Sequence, residues 1–144
     1  MNQNKATDKP IRSISGIVQS GVGKGCFFTS VDWVVRQCKD KLGYTPFPGT
    51  LNVRVCDEDL PRLNQFLEKT DAAFVPNDTS FCSAPVKKIE VDGISAAIVL
   101  PSEDVRVHDH CILEIISACS FKQSLGLRDG DQVELTTMPG KSQR

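Results

Sequence analysis

Between Ala84 and Pro101 the chain reads APVKKIEV, then Asp92-Gly93, then ISAAIVLP. Two runs rich in β-branched and apolar residues flank a dipeptide that tolerates positive φ at both positions, the geometry a two-residue hairpin demands. An antiparallel pair cannot stand alone in water, so the rest of the chain must supply strands that cover it. Four further segments qualify: IRSISGIVQS, GTLNVRV, CILEIIS and QVELTTM. They alternate or run apolar over strand-like lengths, and turn residues bound them. Six strands, with no regular strand–helix–strand alternation, predict a mainly β barrel rather than a doubly wound sheet.

Helices are short and few. Thr29 and Asp32 have capping-box spacing, and Val31, Val34, Val35, Cys38 and Leu42 then recur at helical intervals up to Gly43, a plausible stop. In DEDLPRLNQFLEK, acids precede Pro61, and Leu60, Leu63 and Leu67 mark one face of a second helix. SFKQSLGL allows one more helical turn, and RDGD makes a tight turn before the last strand.

A chain of 144 residues suits one domain with a sizeable core, here expected over residues 11–138, with tails at 1–10 and 139–144. Net charge is −1, which gives no reason to expect nucleic acid or an anionic membrane as a partner. The start, MNQNKATDKP, has no apolar signal core, so a cytoplasmic protein is expected. Cys26, Cys38, Cys56, Cys82, Cys111 and Cys119 contain no C-x-x-C pair, and reduced, structural thiols are expected.

Three places carry candidate chemistry. In PFPGTLNVRV a stiff corner leads into a strand, and Thr50 and Asn52, two apart, leave its same face. Hard neutral oxygens suit Mg²⁺ held jointly with phosphate, while local closure of the turn needs no ligand at all. Ser20–Gly25, SGVGKG, has glycines at 21, 23 and 25 that can turn several N–H groups toward one anion, with Lys24 beside them; a plain hairpin turn is the other reading. It is neither a Walker A loop nor a dinucleotide fingerprint, because the spacing and the following CFF run do not fit. Glu114 is an acid within an apolar strand, either its solvent-facing member or a hydrogen-bond acceptor for a ligand. Lys122 is placed to meet a phosphate or simply to be solvated. His108 and His110 share a strand face in HDHC but lack a third metal ligand. Trp33, Tyr44, Phe27 and Phe28 are core or cleft lining, too scattered for a nucleic-acid stacking platform.

Taken together, GIVQSGVGKGCFF, LGYTPFPGTLNVRV, APVKKIEVDGISAAIVLP, LEIIS and LGLRDGDQVEL resemble the CTP-dependent riboflavin kinases, in that family's order and from Gly16 to Leu135. The resemblance implies a six-stranded Greek-key cradle-loop barrel with two or three short helices. It also implies transfer of the γ-phosphoryl of CTP to riboflavin, giving FMN and CDP. By the same resemblance, Gly21, Val22, Gly23, Lys24, Gly25 and Cys26 hold the nucleotide, as do Cys119, Ser120, Phe121 and Lys122. Thr50 and Asn52 hold Mg²⁺, and Glu114 contacts the flavin, orienting its ribityl end or taking its proton. Two positions depart from the family. Arg106 stands where a flavin-touching threonine is usual, and Phe121-Lys122 replaces Leu-Arg, keeping charge but losing the guanidinium fork.

The expectation is therefore an Mg²⁺-dependent, monomeric riboflavin kinase working by positioning and charge neutralisation. A non-catalytic barrel binding a nucleotide or flavin as a sensor is the alternative. A small DNA-binding barrel is disfavoured by the near-neutral charge.

Overall fold

Seven antiparallel strands form one sheet: β1 (Ser13–Gln19), β2 (Leu51–Val55), β3 (Ala72–Phe74), β4 (Ala84–Val91), β5 (Ile94–Val99), β6 (Ile112–Ile116) and β7 (Gln132–Thr137). The computed structural model describes residues 12–19, 31–68, 70–75, 84–100 and 112–137. The expected terminal tails, the glycine loop, Arg106, His108, His110, Phe27, Phe28, Cys26, Cys82 and Cys111 lie outside those residues.

The spatial order is β3-β4-β5-β6-β2-β1-β7, and a further pairing of β4 with β7 closes six of the strands into a ring. β4 can serve both neighbours on one side because it is long. Its first residues pair with β3, Ala72 opposite Val86, and its last with β7, Val91 opposite Leu135. Around the ring, β7, β4, β5 and β6 lie in the order of a Greek key. The six-stranded barrel expected from the pattern is thus present, with β3 as an added strand at its edge.

The hairpin forms where the sequence places it. Asp92 and Gly93 have φ of 48° and 92°, and Val91 faces Ile94 across the turn. The Asp92 carboxylate also accepts a hydrogen bond from the Glu134 N–H at 3.0 Å, tying the hairpin to β7.

Alternation along the strands builds two apolar cores. Ile14, Val18, Leu51, Val53, Val55, Ile89, Val91, Ile98, Leu113, Ile115, Val133 and Leu135 fill the barrel interior. On the outer face, α1 (Asp32–Leu42) lays Val34 and Cys38 against Phe74, Val86, Ala97 and Ile116. Trp33 and Tyr44 flank this second core. Gly43 ends α1 in the left-handed region at φ 90°, its N–H donating to the carbonyls of Cys38 and Lys39. Val31 is the N-cap and Asp32 the first helical residue, while Thr29, the other half of the expected capping box, lies outside the described residues.

A 3₁₀ turn, Asp57–Asp59, leads into α2 (Leu60–Phe66), with Pro61 in its first turn. Its buried anchor is Phe66 rather than Leu60, which stays exposed, while Leu63 and Leu67 are half-buried. Full burial of one such ring contributes about 2–3 kcal/mol. The last helix, α3 (Phe121–Leu125), is capped by the Ser120 hydroxyl, which accepts from the Gln123 N–H at 3.3 Å. Among the described residues no helix is long and apolar enough to cross a membrane.

Candidate active site

Pro46, Phe47, Pro48 and Gly49 turn the chain into β2, and Gly49 takes φ 113°, which a residue with a side chain adopts only under strain. The corner is anchored to the neighbouring strands β6 and β5. The Phe47 N–H donates to the Ser117 carbonyl at 2.7 Å, and the buried Ser117 hydroxyl donates to the Ser95 carbonyl at 2.8 Å. The turn thereby presses against the segment that leaves β6, and a cavity of about 210 Å³ opens between them. Phe47, Pro48, Gly49 and Thr50 form one wall; Cys119, Ser120, Phe121 and Lys122 form the other. Leu51, Ile115 and Ser117 complete the lining.

Beyond Thr50, β2 alternates. Leu51, Val53 and Val55 point into the barrel and leave Asn52 and Arg54 on the outer face. There Asn52 lies opposite Glu114 of β6 on one side and Gln19 of β1 on the other. Side chains opposite one another in antiparallel strands share a face, with Cβ atoms about 4.5–5.5 Å apart. An amide and a carboxylate therefore stand together one residue past the cavity wall. Glu114 keeps contact with solvent, yet loss of water around its carboxyl pushes its pKa above the ordinary glutamate value.

The structure thus unites two sets of residues singled out in the sequence: Thr50 with Cys119–Lys122 in one cavity, and Asn52 with Glu114 in one cross-strand row. Leu51 is the only residue between Thr50 and Asn52, so the sets are contiguous. Gly21–Cys26 and Arg106 lie outside the described residues. Among the described residues no three His, Cys, Asp or Glu side chains gather as metal ligands, so the donors here are neutral oxygens beside a single acid. Such a set fits a hard cation that brings phosphate oxygens with it. Cys38, Cys56 and Cys119 are free thiols, and burial pushes that of Cys38 up to about 11, leaving it inert at neutral pH. Sequence reasoning passed over Phe47 and Ser117, although the proline-flanked aromatic was a visible signal for the first.

A family model named for CTP-dependent riboflavin kinases, and described as a domain of unknown function, DUF120, matches residues 18–137. The chain is similar to a riboflavin kinase of Archaeoglobus fulgidus, 37% identical over 132 residues, covering 89% of this chain and 55% of that protein. A riboflavin kinase of Methanocella arvoryzae is 36% identical over 121 residues, covering 84% of this chain and 55% of its own length. One from Methanobrevibacter smithii is 34% identical over 122 residues, covering 85% and 97%. The chain therefore spans little more than half of the first two relatives and nearly all of the third.

Proposed function

The chain belongs to the family of CTP-dependent riboflavin kinases, and from that membership we propose that it transfers the γ-phosphoryl of CTP to the 5′-hydroxyl of riboflavin, with Mg²⁺ as the metal. The observation that carries the reading is the cavity, which sets Thr50 against Cys119–Lys122, with the cross-strand pair Asn52 and Glu114 next to it in the chain just outside its lining. A nucleotide lying between the two walls would bring its terminal phosphate toward Thr50 and Asn52, with the flavin hydroxyl approaching from Glu114.

In this reading the riboflavin oxygen forms a bond to the γ-phosphorus, the bond from that phosphorus to the β,γ-bridging oxygen breaks, and CDP leaves. Glu114, with its raised pKa, orients the hydroxyl and takes its proton. Bound Mg²⁺ would neutralise the phosphate charge and keep the phosphates in line, held by the Thr50 hydroxyl and the Asn52 amide oxygen. Lys122 lines the cavity and would meet the nucleotide's phosphates as a point charge. The amides of Gly21–Cys26 would cradle the phosphates, and Arg106 would stand at the flavin side.

Incubation of the purified chain with riboflavin, Mg²⁺ and either CTP or ATP tests the proposal. FMN and CDP should appear with CTP. Tight flavin or nucleotide binding without FMN would leave a non-catalytic binding barrel. FMN formation from ATP alone would overturn the donor assignment.

A further inference from the structure

We propose that Phe47 is the stacking wall for the pyrimidine ring of the nucleotide. The inference rests on the reading of the cavity as the nucleotide site. Phe47 is 39% exposed, one of few large apolar side chains left in water among the described residues. Nothing in the packing requires this exposure. Its neighbour Pro46 is buried, and the two cores are complete without the Phe47 ring.

The backbone that carries the ring is also held in place. Prolines on both sides restrict the backbone, and the N–H bond to Ser117 fixes its height over the cavity. An exposed aromatic carried on a restrained backbone at a cavity wall offers a flat apolar face on which a heterocycle can stack. The cavity's size and position favour the base over the flavin. At about 210 Å³ it lies below the ~300–1,000 Å³ usual for larger ligands, so it suits one ring rather than three fused rings. Glu114, the flavin-side acid, does not line it, whereas Thr50 and the Cys119–Lys122 wall do.

Calorimetric titration of the full chain with Mg²⁺-CDP, Mg²⁺-triphosphate and riboflavin separates the possibilities. Phe47→Ala should weaken CDP binding about tenfold or more, as loss of a base-stacking aromatic does, and leave inorganic triphosphate binding unchanged. Phe47→Tyr should bind CDP as the wild type does. Equal losses for CDP and triphosphate would mean the substitution merely displaced Thr50 and the corner, and would overturn the proposal. So would unchanged CDP affinity, or a loss confined to riboflavin. FMN formation by the wild type is measured alongside. If CDP binding depends on Phe47 but no FMN forms, the stacking role stands and the kinase reading falls.

Discussion

Two acids, Glu114 at the surface and the buried Asp59, are held in opposite senses, and their pH behaviour should differ accordingly. Glu114 loses water around its carboxyl and its pKa rises, so it ionises only above the ordinary glutamate range. In the proposed reaction Glu114 must be ionised to accept the proton, so FMN formation should fall as pH drops through that raised pKa. Glu114→Gln should lower kcat by about 10²–10⁴-fold and abolish this acidic limb. An unchanged kcat would remove Glu114 from the chemistry. Asp59 is the reverse case. Its carboxylate accepts from the Ser15 N–H at 2.8 Å and from Arg62 Nη2 at 2.7 Å, and these bonds, that to Ser15 foremost, lower its pKa. Its contribution to stability is present above the unfolded-state aspartate pKa and disappears as pH falls through the lowered folded value. Asp59→Ala, which leaves the Ser15 N–H without its acceptor, should cost about 1–2 kcal/mol at neutral pH and less in acid. Urea unfolding at both pH values measures this, and equal losses at the two would contradict it. Thr50, Asn52 and Glu114 could be singled out in the sequence because each stands in a short local motif, and the structure brings them near one another. Asp59 looked like one more acid before a helix, since its partner Ser15 lies 44 positions away.

At the level of elements, α1 does two jobs, and only one was legible. Its buried stripe, Val34 and Cys38, and its glycine stop follow from spacing alone. Its polar side closes the sheet's free edge, a tertiary fact that no local pattern carries. The Gln37 side chain meets Val75 as a strand would, accepting from its N–H at 2.7 Å and donating to its carbonyl at 2.6 Å. Lys41 Nζ donates to the Ala73 carbonyl at 2.6 Å and to Gln37 Oε1 at 3.1 Å. Three-residue β3 was missed because it is too short to show any period, and it pairs with only one strand. An uncovered edge offers its backbone groups to another chain. The double variant Gln37→Ala, Lys41→Ala should therefore self-associate more than the wild type as concentration rises. Sedimentation velocity reads this directly, and identical profiles would show that the two side chains do not guard the edge.

For the molecule as a whole, the strands were legible but their closure was not. Pairing of β4 with β7, and of β2 with β6, joins segments far apart in the chain, and alternation says nothing about which strands meet. The ring nevertheless leaves one residue-sized mark, at Gly16. Gly16 faces inward on β1 between Ile14 and Val18, opposite Val55 on one neighbour and Val133 on the other. A Cβ there would collide with Val53 Cγ1 and stand 2.9 Å from the Arg54 carbonyl oxygen. The valine methyl can rotate away. The carbonyl cannot, because Arg54 is paired with both Ile17 and Ile112, and the closed ring prevents β2 from sliding outward. Gly16→Ala should therefore destabilise the barrel by about 1–3 kcal/mol, as overpacking does. For a chain of this size that is a fall of roughly 3–10 °C in Tm. Adding Val53→Ala relieves the side-chain collision but leaves the carbonyl contact, so the double variant should not recover the stability of Val53→Ala alone. If Gly16→Ala melts with the wild type, β1 and β2 are not held this close. If the double variant matches Val53→Ala, only a side chain was in the way, and the backbone of the ring is freer than its pairing implies. The same constraint reaches the candidate site. Gln19, Asn52 and Glu114 form a row across β1, β2 and β6, so prying β1 from β2 at Gly16 should also weaken Mg²⁺-dependent CDP binding at temperatures where the variant remains folded.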